Sequence, residues 1–209
     1  MSETLKGGLL FLLLGFLLYS NTLNHNFVLD DKMVITDNQF TKKGLNGLGD
    51  IFTSDSMTGF FGRDKNLVSG GRYRPLTLAT HALEYEFFGK NAFVGHFFNA
   101  LYYGLLLWVL FSCFSRVLGQ SERKFYEQPA FWIILLFAAH PVHVEVVANI
   151  KGRDDMLSIL LAALGWLIYE RNKSGYLGSI MLGVFFLLSL LAKESSIVFI
   201  VLIPLLYYY

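Results

Sequence analysis

The chain has little of several residue types that soluble domains use freely. Its 209 residues include 1 cysteine and 4 prolines, only 16% are charged, and the net charge is +1. A single cysteine excludes an internal disulfide and leaves the redox compartment open. A nearly neutral chain with scattered basic residues lacks the basic surface that nucleic acid requires, so we expect no nucleic-acid partner.

Apolar residues take the place of the missing charge. They make up 54% of the chain, and the mean hydropathy is +0.48. Such a composition indicates an integral membrane protein. We therefore predict an all-α fold, a multi-pass helical membrane protein with about six spans.

The first predicted span runs from Gly7 to about Leu23, which is long enough to cross a hydrocarbon core of about 30 Å. The sequence at its end is a poor signal-peptidase site, so we expect an uncleaved anchor. Further apolar segments follow at 92–114, 130–139, 156–169, 176–192 and 197–209. Because the segments 130–139 and 156–169 are shorter than a span, they either extend helically through the polar motif between them, which we favour, or form a buried hairpin.

The positive-inside rule orients these spans. Lys6 and the loops around Arg116 and Arg171 fall on one side, which is predicted to be cytoplasmic. The outward connections are 24–91, 140–155 and 193–196. All of them carry closely spaced ionisable residues, so chemistry is expected at the outer face. The longest connection is too long for a structureless loop, and we predict short interfacial helices within it.

Two adjacent carboxylates, Asp30 and Asp31, follow the first span. Transfer of a group onto a hydroxyl needs a base within hydrogen-bond reach of the acceptor. The pair is therefore a candidate catalytic base. The alternative is a pair that only caps or solvates a loop.

Basic residues recur in the other outward segments. Arg72 and Arg74 flank Tyr73 just before a proline that can start a helix. Guanidinium groups match phosphate geometry, so these arginines either hold the phosphate of a donor or contact lipid headgroups. Lys193 precedes Glu194 between two apolar segments, where it holds an anionic leaving group, pairs with Glu194 or snorkels to headgroups.

A polar cluster begins with His140, His143 and Glu145 and continues to Arg153 and Asp155. The histidine spacing differs from the His-Glu-x-x-His zinc pattern, so metal binding, hydrogen bonding to substrate and a structural role stay open. Arg153 and Asp155 are expected to pair with charged neighbours in the same segment. Because the connection 24–91 has no Asp-x-Asp motif, we expect no required metal, and no cofactor is implied.

In their order, these motifs resemble the transmembrane and tetratricopeptide-repeat O-mannosyltransferases and their bacterial relatives, within the C superfamily of glycosyltransferases. The matching stretches are Phe27-Val28-x-Asp30-Asp31, Tyr73-Arg74-Pro75-Leu76-Thr77, His96-x-x-Asn99, Ala139-His140-Pro141-Val142-His143-x-Glu145, Gly152-Arg153-x-Asp155 and Leu191-Ala192-Lys193-Glu194. The histidine-proline block is the most specific of them.

The resemblance implies a glycosyltransferase that moves a sugar, such as mannose, from a polyprenyl-phosphate carrier to a protein or glycan hydroxyl. The active face would be periplasmic in a bacterial inner membrane or lumenal in the endoplasmic reticulum. The resemblance makes Asp30 the base with Asp31 beside it, and Arg74 and Lys193 holders of the lipid phosphate. Arg72 joins them by its spacing alone. Direct displacement would invert the sugar, with no glycosyl-enzyme intermediate.

Members of this family continue beyond the Lys-Glu motif with more spans and with tetratricopeptide repeats, which this sequence does not contain. We therefore expect residues 1–209 to be the N-terminal portion of one membrane glycosyltransferase domain, as a fragment or a short member. Two other functions fit the same residues. They are a carrier or flippase for lipid-linked sugars, and a non-catalytic membrane scaffold.

Overall fold

Helices account for all the regular structure of the described part of the chain. The structure is a computed structural model that describes residues 2–62, 72–119, 122–172 and 175–208. No strand occurs within these ranges, so the all-α prediction is confirmed. The α-helices are α1 (Glu3–Leu18), α2 (Gln39–Lys42), α3 (Leu48–Thr53), α4 (Thr58–Phe61), α5 (Pro75–Phe88), α6 (Ala92–Val117), α7 (Pro129–Ala138), α8 (His143–Ala148), α9 (Arg153–Arg171), α10 (Tyr176–Ala192) and α11 (Phe199–Tyr208).

Among the described residues, α6 is the one helix long and apolar enough to cross a membrane. It has 26 residues, although 56% of its most apolar stretch is buried inside the protein. The expected first span is divided, because α1 ends at Leu18 and a 3-10 helix, Ser20–Asn24, continues the chain. Helix α10, with 17 residues, is also shorter than α6.

The polar motif 140–155 is not a continuous helix. The favoured helical extension is therefore wrong for its first half, where α7 ends at Ala138 and the chain turns before α8. Pro141 explains the break, because proline has no N–H to donate and disfavours a helical conformation in the preceding residue. The second half is helical, since α9 begins at Arg153 and reaches 19 residues.

Helix α1 packs along α6, and α9 packs between α6 and α10. Glycines allow these close contacts. A Cβ on Gly15 would lie 2.7 Å from the Cα of Gly104, and a Cβ on Gly165 would lie 2.7 Å from the Cβ of Phe185. Small residues at crossing points let apolar helices approach closely. The result is a bundle with one long core, which includes Phe11, Tyr103, Phe111, Ile134 and Trp166.

The connection 24–91 folds over one end of this bundle. It contains α2 to α5, which confirms that short helices lie within it. Its small core joins Val34, Ile51 and Leu78 to Ile150 of the polar motif. Thr77 at the start of α5 donates a 3.1 Å hydrogen bond to the carbonyl of Ala192 at the end of α10. Residues of the three predicted outward connections therefore meet at one end of the protein.

Candidate active site

The two adjacent aspartates have different surroundings. Asp31 is completely buried, whereas the side chain of Asp30 is 45% exposed. Leu29, just before them, has a φ of 35°, in the left-handed region that non-glycine residues rarely adopt. Asp30 pairs with Lys151, whose Nζ lies 3.7 Å from Oδ2. Asp30 is therefore the accessible carboxylate of the predicted pair.

Asp31 connects two segments that are distant in the sequence. Its carboxylate accepts hydrogen bonds from the N–H groups of Val28 and Lys151, each at 2.9 Å. Burial raises the pKa of Asp31, although these two hydrogen bonds oppose the shift. Through these two backbone hydrogen bonds, the buried carboxylate of Asp31 holds the polar motif 140–155 against the connection 24–91. The geometry therefore gives Asp31 a positioning contact and leaves Asp30 facing solvent.

The predicted phosphate-binding residues Arg74 and Lys193 lie in one group of charges, which we call the outer ion cluster. It consists of Arg74, Asp154, Asp155, Lys193 and Glu194. Arg74 donates from Nε to Glu194 at 2.8 Å and from its terminal nitrogens to Glu194 and Asp154. Lys193 pairs with Asp155 and lies 3.8 Å from Asp154.

The two ends of the Arg74–Glu194 pair stabilise each other's charged form. The hydrogen bond to Glu194 raises the pKa of Arg74, and the same bond lowers the pKa of Glu194 to about 2. Both groups are therefore ionised at neutral pH. The cations expected to hold a phosphate are adjacent, but carboxylates of the protein occupy both of them.

Arg72 and Tyr73 extend from the same segment without joining the outer ion cluster. Arg72 is exposed, and its carbonyl accepts a 2.8 Å hydrogen bond from the N–H of Ser56. Tyr73 donates its hydroxyl to the carbonyl of Phe52 at 2.8 Å. The N–H of Arg74 donates to the hydroxyl of Ser56 at 2.9 Å. Ser56 therefore fixes the backbone that presents Arg74.

Arg153 is completely buried, and the expected pairing within its own segment is wrong. Its partner is Glu84 of α5, which it contacts through both terminal nitrogens. Its Nε donates to the amide oxygen of Asn99 at 2.9 Å, and its guanidinium lies 5.3 Å from the ring of Tyr102. These contacts join α5, α6 and α9 at one point. Arg153 therefore holds helices together and is not accessible to a ligand.

The histidine-proline block lies at another part of the same end. His140 is exposed, and its Nδ1 accepts a 3.2 Å hydrogen bond from the N–H of Val142. The ring of His143 packs 4.2 Å from that of Phe137, and burial lowers the pKa of His143. Glu145 is exposed. His140 also lines a cleft of about 270 Å³ beside the end of α1. In the described ranges, no ion pair joins these three residues to the outer ion cluster.

Sequence comparison identifies proteins similar to this chain. Protein O-mannosyl-transferase TMTC1 of Homo sapiens is 34% identical over 157 residues, which are 75% of this chain and 17% of the human protein. Protein O-mannosyl-transferase Tmtc1 of Drosophila melanogaster is 33% identical over 187 residues, 88% of this chain and 20% of the fly protein.

This chain is a relative of the protein O-mannosyl-transferases. The predicted resemblance to O-mannosyltransferases is confirmed by these matches and by human TMTC4, which is 32% identical over 86% of this chain and 26% of its own length. The chain spans between 17% and 26% of the length of these three relatives. No protein-family model and no solved structure match it.

For a mannosyl-transferase relative, the structure adds three residues that sequence reasoning did not select as site residues. Asp154 bridges Arg74 and Lys193, and its position in the doublet with Asp155 was the available signal. Glu84 and Asn99 surround Arg153. Asn99 lies in the matching stretch His96-x-x-Asn99 of the apolar helix α6, which is the signal for it. Glu84 has no such signal, because α5 also carries His81, Glu86 and other polar residues.

Metal binding has no support from the arrangement of ligands. Within the described part of the chain, no group of three or more histidine, cysteine, aspartate or glutamate side chains could hold a metal ion. The carboxylates of the outer ion cluster are instead neutralised by the ammonium of Lys193 and the guanidinium of Arg74.

Proposed function

We propose that this chain forms the active face of a multi-pass membrane protein O-mannosyltransferase. The donor is a polyprenyl-phosphate mannose, the acceptor is a hydroxyl of a protein, and the active face is lumenal or periplasmic. The names of the relatives support the transferred sugar and the protein acceptor. Because the chain spans a minor part of those relatives, the activity of the whole protein is part of this proposal.

The surface of the bundle supports membrane insertion by several helices. Large apolar side chains are exposed on helices that are shorter than α6. They include Leu13, Leu17, Trp132, Leu136, Leu177, Ile180 and Val201. Lipid tails would cover these side chains favourably, whereas large exposed apolar patches are rare on soluble monomers. These helices are therefore proposed to lie in the membrane beside α6.

The observation that carries the reaction is the presence of an exposed carboxylate and of the outer ion cluster, with its two cations, at one end of the bundle. Asp30 contacts Lys151, and Asp154, three residues further along the chain, contacts Arg74. Both contacts therefore start from one helical segment, 150–154, that also anchors Asp31. A base and phosphate-binding cations are the two components that transfer from a lipid phosphate requires.

The proposed reaction is a single displacement. Asp30 takes the proton of the acceptor hydroxyl, whose oxygen forms a bond to the anomeric carbon of mannose. The bond between that carbon and the phosphate oxygen breaks, and the polyprenyl phosphate leaves with the electron pair. Arg74 and Lys193 stabilise the charge that develops on the phosphate. The configuration of the sugar inverts, so no mannosyl-enzyme intermediate forms.

The test is transfer of labelled mannose from polyprenyl-phosphate mannose to protein in membranes that contain the full chain. We expect Asp30→Asn to lower the rate by about a hundredfold or more, because a positioned base contributes that much. Asp37→Asn, which changes an exposed aspartate of the same connection, is the control. Equal rates for Asp30→Asn and the wild type would contradict the proposal. Lipid binding that requires Arg74, without any transfer, would favour a carrier of lipid-linked sugar.

A further inference from the structure

Glu194 is the most exposed carboxylate of the outer ion cluster. Its side chain is 56% exposed, compared with 40% for Asp155 and 3% for Asp154. Both of its oxygens face Arg74, one on Nε and the other on a terminal nitrogen. In the described part of the chain, Arg74 is the side chain that donates hydrogen bonds to these two oxygens. Glu194 therefore covers one edge of the guanidinium from the solvent side.

The other side of the guanidinium is held independently. Asp154 accepts a hydrogen bond from the remaining terminal nitrogen of Arg74. The carboxylate of Asp154 is fixed in turn, because it accepts a 2.8 Å hydrogen bond from the N–H of Asp155 and lies 3.8 Å from Lys193 Nζ. Arg74 would therefore keep its orientation if Glu194 moved away.

The backbone of Glu194 is also fixed. It begins the 3-10 helix Glu194–Val198, in which the Ser196 hydroxyl donates a 3.0 Å hydrogen bond to the carbonyl of Ser189 in α10. Removal of the Glu194 carboxylate from Arg74 thus requires only rotation of an exposed side chain. Among the described residues, no buried group would lose its partner, apart from the edge of Arg74 that is uncovered.

The uncovered edge has the chemistry of a phosphate site. A guanidinium presents two parallel N–H donors, which bind the paired oxygens of a carboxylate or of a phosphate in the same manner. Lys193 lies beside it with 18% of its side chain exposed. An incoming phosphate would therefore bind this edge of Arg74, and the ammonium of Lys193 would act on it through its charge, as it does on Glu194.

We propose that Glu194 is a placeholder that occupies the phosphate position on Arg74 until the phosphate of the donor displaces it. The inference rests on the proposed function, and it makes Glu194 a residue that determines donor specificity. A water-soluble sugar phosphate must displace the carboxylate from dilute solution. A polyprenyl-phosphate donor is confined to the membrane beside the site, which raises its effective concentration. Glu194 thus favours lipid-linked donors over soluble ones.

The charge on Glu194 makes this competition necessary near neutral pH. Its pKa is lowered to about 2 by the hydrogen bond with Arg74. Protonation therefore does not release the carboxylate under those conditions. A second anion has to replace it.

The experiment measures binding of mannose 1-phosphate to the full chain in detergent, for the wild type and Glu194→Gln. We expect Glu194→Gln to bind at least about tenfold more tightly, since a hydrogen bond to an ionised group changes affinity by about this factor. Glu127→Gln is the matched control, because that carboxylate is 52% exposed and pairs with Lys124 at 3.9 Å. Its affinity should equal that of the wild type.

Unchanged or weaker binding by Glu194→Gln would overturn the placeholder role. If the glutamine variant folds poorly, Glu194→Asp is tested instead. The shorter aspartate side chain reaches the guanidinium of Arg74 less well, so this variant should also bind mannose 1-phosphate more tightly. Mannosyl transfer measured in parallel separates the two proposals. Transfer that depends on Asp30, with equal phosphate binding by all variants, overturns the placeholder role alone. Tighter binding by Glu194→Gln without any transfer overturns the proposed function and retains the anion site.

Discussion

Arg153 and Arg74 use the same chemistry in two different environments. Each guanidinium binds a glutamate through two nitrogens, and each belongs to a stretch that resembles the O-mannosyltransferases. Arg153 is 0% exposed and its partner Glu84 only 14%, whereas the partner of Arg74, Glu194, is 56% exposed. The difference therefore lies in access to the carboxylate and not in the type of contact.

The two glutamates respond to this difference in opposite directions. Burial raises the pKa of Glu84, even though Arg153 opposes the shift. The hydrogen bond from Arg74 dominates for Glu194 and lowers its pKa. The buried pair of Arg153 and Glu84, which we call the sealed pair, must have both partners in place for the fold to be stable. The pair of Arg74 and the exposed Glu194, which we call the open pair, can exchange its carboxylate for another anion. Arg74, and not Arg153, is therefore a candidate for ligand binding.

The largest effect should follow from breaking the sealed pair. We expect Arg153→Gln to lower the free energy of unfolding by about 3 to 5 kcal/mol, because Glu84 would remain buried without its cation. Unfolding in detergent, followed by tryptophan fluorescence, measures this loss. The double variant Arg153→Gln with Glu84→Gln should recover part of it. A loss no greater than that of Arg171→Gln, which changes an exposed arginine, would show that the sealed pair does not support the fold.

The sequence was sufficient for the fold class and for the grouping of the polar segments. Composition and segment length predict helices throughout, and helices are what the described residues form. The alternation of apolar and polar segments predicts that connections 24–91, 140–155 and 193–196 share one end, and their contacts lie together there. The break after α7 is not predicted, because the short apolar segments favour a helix that continues through Pro141, whereas Pro141 ends it.

The roles of individual charges could not be read from the sequence. Asp30 and Asp31 are neighbours of identical chemistry, and the group that separates them is the N–H of Lys151, 120 residues away from Asp31. The sequence predicts local partners for Arg153, but its partner Glu84 lies 69 residues before it. Burial and partner choice depend on such distant contacts. Residue type and spacing therefore locate a polar site, but they do not distinguish the residues that hold the fold from those that react or bind a ligand.

The open pair should affect transfer more than stability. We expect Arg74→Lys to lower mannosyl transfer by about a hundredfold, because a lysine cannot hold Asp154 and also present two parallel donors to a phosphate. Its unfolding transition should shift little, since Lys193 remains beside Asp154. The measurement pairs the transfer assay with unfolding of the same preparation, and Arg171→Lys is the control. A large loss of stability with normal transfer per folded molecule would assign Arg74 to the same class as Arg153.

The smallest effect is on the pH dependence of stability, where the two glutamates should have opposite signs. The raised pKa of Glu84 means that its contribution is present below its unfolded pKa, about 4.3, and is lost as the pH rises through the folded value. The pKa of Glu194 is lowered to about 2, so its contribution is present above about pH 4.3 and is lost as the pH falls towards 2.

Unfolding measured from pH 3 to 7 for Glu84→Gln and Glu194→Gln tests this difference. Removal of Glu84 should abolish a decrease of stability with rising pH, whatever its effect on absolute stability. Removal of Glu194 should abolish an increase of less than about 1 kcal/mol, because an exposed ion pair is screened by solvent. The stability difference between the wild type and each variant is compared across this pH range. If that difference changes with pH in the same direction for both variants, the two arginine–glutamate pairs share one environment. Exposure would then no longer separate the structural arginine from the arginine that binds a ligand.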